Sequence, residues 1–242
     1  MSGTPYGSAP LNPTQLGVRP APALVQQLLV GAFGWMFAGL LLSAGVAYLV
    51  GTNLQLLQSA ANWWFLLLIG QIALVVAISA GIRRLSATAA LGLFFVYAAT
   101  MGVTLGVIVW SYLRTPDGST AVASAFLSAS AMFGAAAIYG GVTKRDLTKM
   151  GGILFMALIG LLVASVVNIF LHSSQLNWII SIVGVVLFTG LTAWDVQRIS
   201  RGDIAALTGS KEKGSVLAAL HLYLDFVNLF LFLLRIFGGN RS

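Results

Sequence analysis

The chain has no cysteine, only six acidic residues and only two histidines among its 242 residues. Without cysteine there is no disulfide, no thiolate metal site and no cysteine nucleophile. Two histidines cannot supply a three-histidine zinc hydrolase centre. No serine sits in a Gly-x-Ser-x-Gly setting, which speaks against an intramembrane serine hydrolase. The four lysines, Lys144, Lys149, Lys211 and Lys213, all fall between apolar runs, so none is placed to carry a retinal Schiff base inside a membrane. The inventory points away from an enzyme and implies no resident cofactor.

Charge is equally scarce. Only 8% of residues are charged and 58% are hydrophobic, whereas a soluble domain carries roughly 25% charged residues. A soluble core cannot use that much apolar surface, but helices facing lipid can. The formal net charge is +7, yet the basic residues form small clusters between apolar runs rather than one basic face. That pattern excludes nucleic acid as a partner and matches the way Lys and Arg orient a membrane protein.

A membrane span needs about 20 mostly apolar residues. Seven such runs occur, at roughly 26–50, 61–82, 88–113, 119–142, 149–171, 176–198 and 215–237. The expected fold class is therefore an all-α membrane protein with seven transmembrane helices, occupying residues 24–238. Residues 1–23, rich in Pro, Gly and Ser, read as a disordered cytoplasmic tail. The connections are short, and only the sixth, about 199–214, has the length for structure of its own. Small residues recur within the spans, and Gly102 and Gly106 form a GxxxG spacing that lets helices approach closely.

Of the acidic residues, Asp117, Asp146, Asp203 and Glu212 fall in predicted loops. Asp225 does not: it lies twelve residues past Lys213 and ten before Arg235, near the middle of the seventh run. A carboxylate at that depth costs several kcal/mol, and such residues face the bundle interior and serve a function. Asp195 lies three residues before Arg198, near the end of the sixth run. It reads either as a boundary aspartate beside water and Arg198 or as a partner for Asp225. Meeting Asp225 requires that the sixth helix sit deep or that a water-filled vestibule reach inward. Two carboxyls in such a site share a proton and titrate as a unit. Arg83 and Arg84, at the end of the second run, lie on the same side as Asp195 and are candidate counter-charges. His221 and Asn228, four residues before and three after Asp225, share its helix face. They are candidate supporting residues.

The strings FTGLTAWDVQRI and GSVLAALHLYLDFVNLFLFLLRIFG resemble the C-terminal signature of the transmembrane Bax inhibitor motif family, especially its bacterial members. The resemblance implies six helices surrounding a central C-terminal helix. It implies that Asp195 and Asp225 match the paired aspartates of a pH-sensing latch. It also implies that Arg84, with Arg83 second, matches an arginine contacting that pair. The implied activity is a pH-sensitive calcium leak in the bacterial inner membrane. Ca²⁺ is then a transported ion, with Asp195 and Asp225 as transient ligands, and protons and the lipid bilayer are the other partners. One departure is the segment between the two aspartates, which is longer here than in compact relatives. Two other readings remain open: a regulator that binds a membrane protease or other membrane complex without ion flux, and a proton-coupled carrier of a small solute.

With the N-terminus cytoplasmic, ten Lys and Arg residues fall inside and three (Arg114, Arg235 and Arg241) outside. Reporter fusions are expected to place the N-terminus and the Lys144–Lys149 loop in the cytoplasm and Ser242 outside. A cytoplasmic Ser242 would mean that one of the seven runs does not cross.

Overall fold

The computed structural model describes residues 21–239, all of whose regular elements are helices. They are α1 (Pro22–Thr52), α2 (Leu54–Asn62), α3 (Trp64–Gly81), α4 (Ala87–Leu113), α5 (Gly118–Val142), α6 (Met150–Leu171), α7 (Ser174–Ser200), α8 (Asp203–Thr208) and α9 (Lys211–Gly238). Seven of these, all but α2 and α8, are long and apolar enough to span a bilayer. Helix begins at Pro22, inside the stretch expected as a tail, and residues 1–20 of that stretch lie outside the described residues.

Local chemistry sets the helix ends. Proline opens α1, where a missing N–H costs nothing. Side-chain oxygens of Ser86, Ser173 and Ser210 accept backbone N–H groups at the starts of α4, α7 and α9. Asn53 accepts from both Gln55 and Leu56 and so starts α2, a helix absent from the sequence expectation, which began the second span at residue 61. Nine residues are too few to span, and the exposed Trp63 and Trp64 that follow suit a membrane–water interface. The short α8 forms in the connection expected to hold structure. It is bracketed by Gly202 and Gly209, whose φ of 75° and 70° are left-handed conformations that favour glycine.

The C-terminal α9 is the axis of the bundle. It packs against α1, α7 and α5, less against α4 and α8, and touches α3 lightly. The central position expected for this helix is borne out, but the ring around it is incomplete, because α6 packs on α7 rather than on α9. Its segment Gly214–Leu220 is buried without a break. The Ser43 hydroxyl ties the centre together, lying 2.6 Å from the Tyr223 hydroxyl and 2.7 Å from the Ala98 carbonyl. That contact links α1, α4 and α9 by hydrogen bonds, which hold helices together where lipid removes the hydrophobic drive.

The Gly102/Gly106 spacing serves packing within the chain. A Cβ on Gly102 would sit 2.7 Å from the Ser43 carbonyl oxygen, and one on Gly106 would sit 2.9 Å from that of Ala47, so the pair sets how closely α1 and α4 approach. Gly102→Val and Gly106→Val are each expected to cost about 1–3 kcal/mol by forcing the helices apart. Thermal unfolding in detergent should show lower midpoints for both, with Gly34→Val, which meets no atom within 4 Å, as the control. Equal midpoints in all three variants would contradict this account.

Candidate functional site

Two of the six acidic side chains are buried inside the bundle. Asp195 is 5% exposed on α7 and Asp225 is 4% exposed on α9. The Asp225 carboxyl faces α7, within electrostatic reach of Asp195 and beside the Thr192 hydroxyl. That hydroxyl also lies 2.8 Å from the Phe188 carbonyl, which competes for its single proton. No donor among the described residues reaches Asp225 Oδ2. Asp195 is better supplied. Its Oδ1 lies 3.4 Å from Arg198 Nη1 and 3.4 Å from His221 Nδ1.

The depth question resolves through the sixth connection. After Ser200 the chain folds back as α8 against both α7 and α9, burying Ile204 and Thr208. The end of α7 is thereby enclosed by protein, and Asp195 sits inside although it is only five residues from the helix terminus. Arg83 helps to fix this arrangement, its Nε donating to the Leu207 carbonyl at 3.0 Å. Lys213 Nζ donates in turn to the Arg83 carbonyl at 3.2 Å.

Of the sequence-predicted residues, the structure therefore brings Asp195, Asp225 and His221 together. Arg83 and Arg84 are exposed in the turn after α3, and neither forms an ion pair with the aspartates among the described residues. The guanidinium beside the pair is that of Arg198, which also stacks over the Trp194 ring at 4.4 Å. Asn228 shares the helix but not the cluster, its amide donating to the Leu224 carbonyl at 2.8 Å.

Sequence reasoning missed the second support of this site. Buried Gln197 accepts from Leu147 N–H at 2.8 Å and donates to the Arg145 carbonyl at 2.8 Å, clamping the α5–α6 loop onto α7. Asp146 in that loop pairs with Arg201. The signal available was a glutamine two residues from Asp195, near the end of the sixth run. Hydrogen bonds from Thr148, and then from Arg201, hold the Asp146 carboxyl below the usual carboxylate range. With its folded pKa depressed, whatever this group contributes to stability is fully present above about pH 4 and is lost only as pH falls further. Asp146 is therefore no source of pH dependence near neutrality.

The two buried acids, on α7 and α9, are the residues that the Bax inhibitor resemblance singles out. Residues 25–242 match the family described as inhibitor of apoptosis-promoting Bax1 (Bax1-I). The chain belongs to the Bax1-I family. It is 44% identical over 230 residues to the inner membrane protein YbhL of Escherichia coli K12, covering 93% of this chain and 96% of that protein. Uncharacterised proteins of Deinococcus radiodurans (41% over 219 residues, 90% and 92% of the two chains) and Borreliella burgdorferi (43% over 222 residues, 89% and 93%) are similar along the same length. With seven helices long and apolar enough to span a bilayer, the chain is an integral membrane protein.

A buried oxygen without a donor costs stability, about 1–3 kcal/mol for a polar group. Asp225→Leu, which removes it, is expected to unfold no earlier than the native chain on heating in detergent. A clear fall in midpoint would mean that Asp225 serves packing rather than function.

Proposed function

We propose that this Bax1-I protein is a pH-sensitive calcium leak of the bacterial inner membrane, gated by the Asp195–Asp225 pair. The observation that carries the reading is the buried pair itself. Two buried carboxyls, one on α7 and one on α9, lie within electrostatic reach of each other, and one has an oxygen that no donor among the described residues satisfies. In the closed state the pair shares one proton and carries about one negative charge, balanced by Arg198. Removing the proton leaves two like charges in a buried site, where their repulsion is of the order of several kcal/mol. That shifts a two-state equilibrium by orders of magnitude.

His221 extends the same logic. Its Nδ1 lies 3.4 Å from Asp195 Oδ1, placing a second polar group beside the carboxyl that Arg198 contacts. Ca²⁺ takes six to eight oxygens in a tight site. Two carboxyls suit a passing ion rather than a stored one. In this reading the N-terminus is cytoplasmic, the C-terminus lies outside, and α8 covers the pair from the cytoplasmic side.

Calcium flux into liposomes holding only this protein, measured across about pH 5–8, tests the proposal. Asp225→Asn and Asp195→Asn should each flatten the pH dependence, and the double variant should add little because one coupled unit is already disabled. Arg198→Ala should raise the leak at a given pH, with Arg84→Ala as its comparison: an equal effect would mean that Arg84 reaches the pair in another conformation. Asp146→Asn should leave the profile unchanged. An unaltered profile in both aspartate variants would sink the gate and favour a regulator that binds a membrane protease or another membrane complex.

A further inference from the structure

At the other end of the bundle from Asp195, where α6 turns into α7 beside the end of α9, lies a cavity of about 490 Å³. Its polar lining includes Asn168, His172, Asn177 and Arg235 together with the hydroxyls of three serines. No carboxylate is among its described lining residues. Arg235 forms no ion pair among the described residues; its guanidinium carbon lies 5.5 Å from the Phe232 ring centroid and it is within electrostatic reach of the Tyr112 hydroxyl, a neutral group. The C-terminal dipole of α9 offsets only about half a charge, so the cavity keeps net positive character.

The remaining groups present donors. Asn168 Oδ1 already accepts from Ser173 N–H at 3.2 Å, which leaves its NH₂ for a ligand. The turn is built around His172, whose left-handed φ of 48° is uncommon for a residue with a side chain. Its ring Nδ1 lies 3.2 Å from the Phe170 carbonyl. The cavity also opens toward lipid. Ile169 in its wall is 59% exposed and the adjacent Phe170 is 79% exposed, with Trp178 exposed on the next helix. These are side chains suited to the acyl region and its border.

We infer that this cavity is a binding site for the phosphodiester headgroup of an anionic phospholipid, with Arg235 as its main cation and the lipid chains lying against Ile169 and Phe170. A guanidinium matches phosphate oxygens through two parallel hydrogen bonds, which a lysine cannot reproduce. A zwitterionic lipid brings its own cation and gains less from an uncompensated arginine. The inference stands apart from the calcium reading, because the site shares no residue with the aspartate pair.

Full-length protein in micelles, titrated with phosphatidylglycerol or phosphatidylcholine and examined by native mass spectrometry, tests it. The native chain should retain one phosphatidylglycerol in preference to phosphatidylcholine. Arg235→Gln should weaken that binding about tenfold, the loss of one charge-assisted contact, and Arg235→Lys should recover only part of it. Lys211→Gln, at the opposite end of α9, should bind as the native chain does. Undiminished phosphatidylglycerol binding in Arg235→Gln would overturn the site. Displacement of the lipid by millimolar inorganic phosphate would overturn the choice of a lipid as its ligand.

Discussion

The burial of α9 is the constraint from which the rest of the architecture follows. Along its buried stretch, a helix packed by α1, α4, α5, α7 and α8 leaves its polar side chains little access to lipid or water. Each must find a partner inside the protein or remain unsatisfied at a cost of several kcal/mol. Tyr223 finds Ser43, and in doing so joins three helices. His221 finds Asp195. Asp225 faces another acid and leaves one oxygen without a donor. The first two contacts tie neighbouring helices to α9, whereas the third leaves a local imbalance, a carboxyl oxygen with no donor among the described residues.

That imbalance depends on structure outside the membrane core. The end of α7 would open to water if α8 did not fold back over it. The glycines bracketing α8 permit the reversal, and Arg83 anchors the segment to the turn after α3. On the other flank, Gln197 and the Asp146–Arg201 pair hold the α5–α6 loop against the last turns of α7. The exposed ion pair contributes little energy on its own. The paired hydrogen bonds of buried Gln197 are the stronger restraint, since leaving them unmade would strand a buried amide.

Charge is distributed so that the two ends of α9 differ. Near its first turns the bundle carries carboxyls together with cations, whereas its last turn presents Arg235 to a polar cavity free of described carboxylates. Because α9 is one continuous helix of 28 residues, restraint at one end is transmitted as rigid-body position to the other. A ligand at Arg235 would therefore act on the same element that carries Asp225.

The number of spans, their approximate bounds and the two acids that needed explanation were all legible in the sequence. The reason is that the energy of moving an apolar run or a carboxylate into lipid is local and large. Which helix lies at the centre was carried by the resemblance in the C-terminal strings, because hydropathy does not distinguish a face turned to lipid from one turned to protein. The start of α2 rests on Asn53, a capping signal hidden in a short connection. Arg198 beside Asp195 was one of the sequence readings, since the two lie on one turn of α7. Tertiary structure decided that Arg83 and Arg84 end up exposed in the turn after α3, with Arg83 anchoring α8. Sequence determined which groups had to be buried and roughly how deep. Folding decided which of them meet, since contacts between helices depend on rotation and close approach, and these are set by all the packed side chains together.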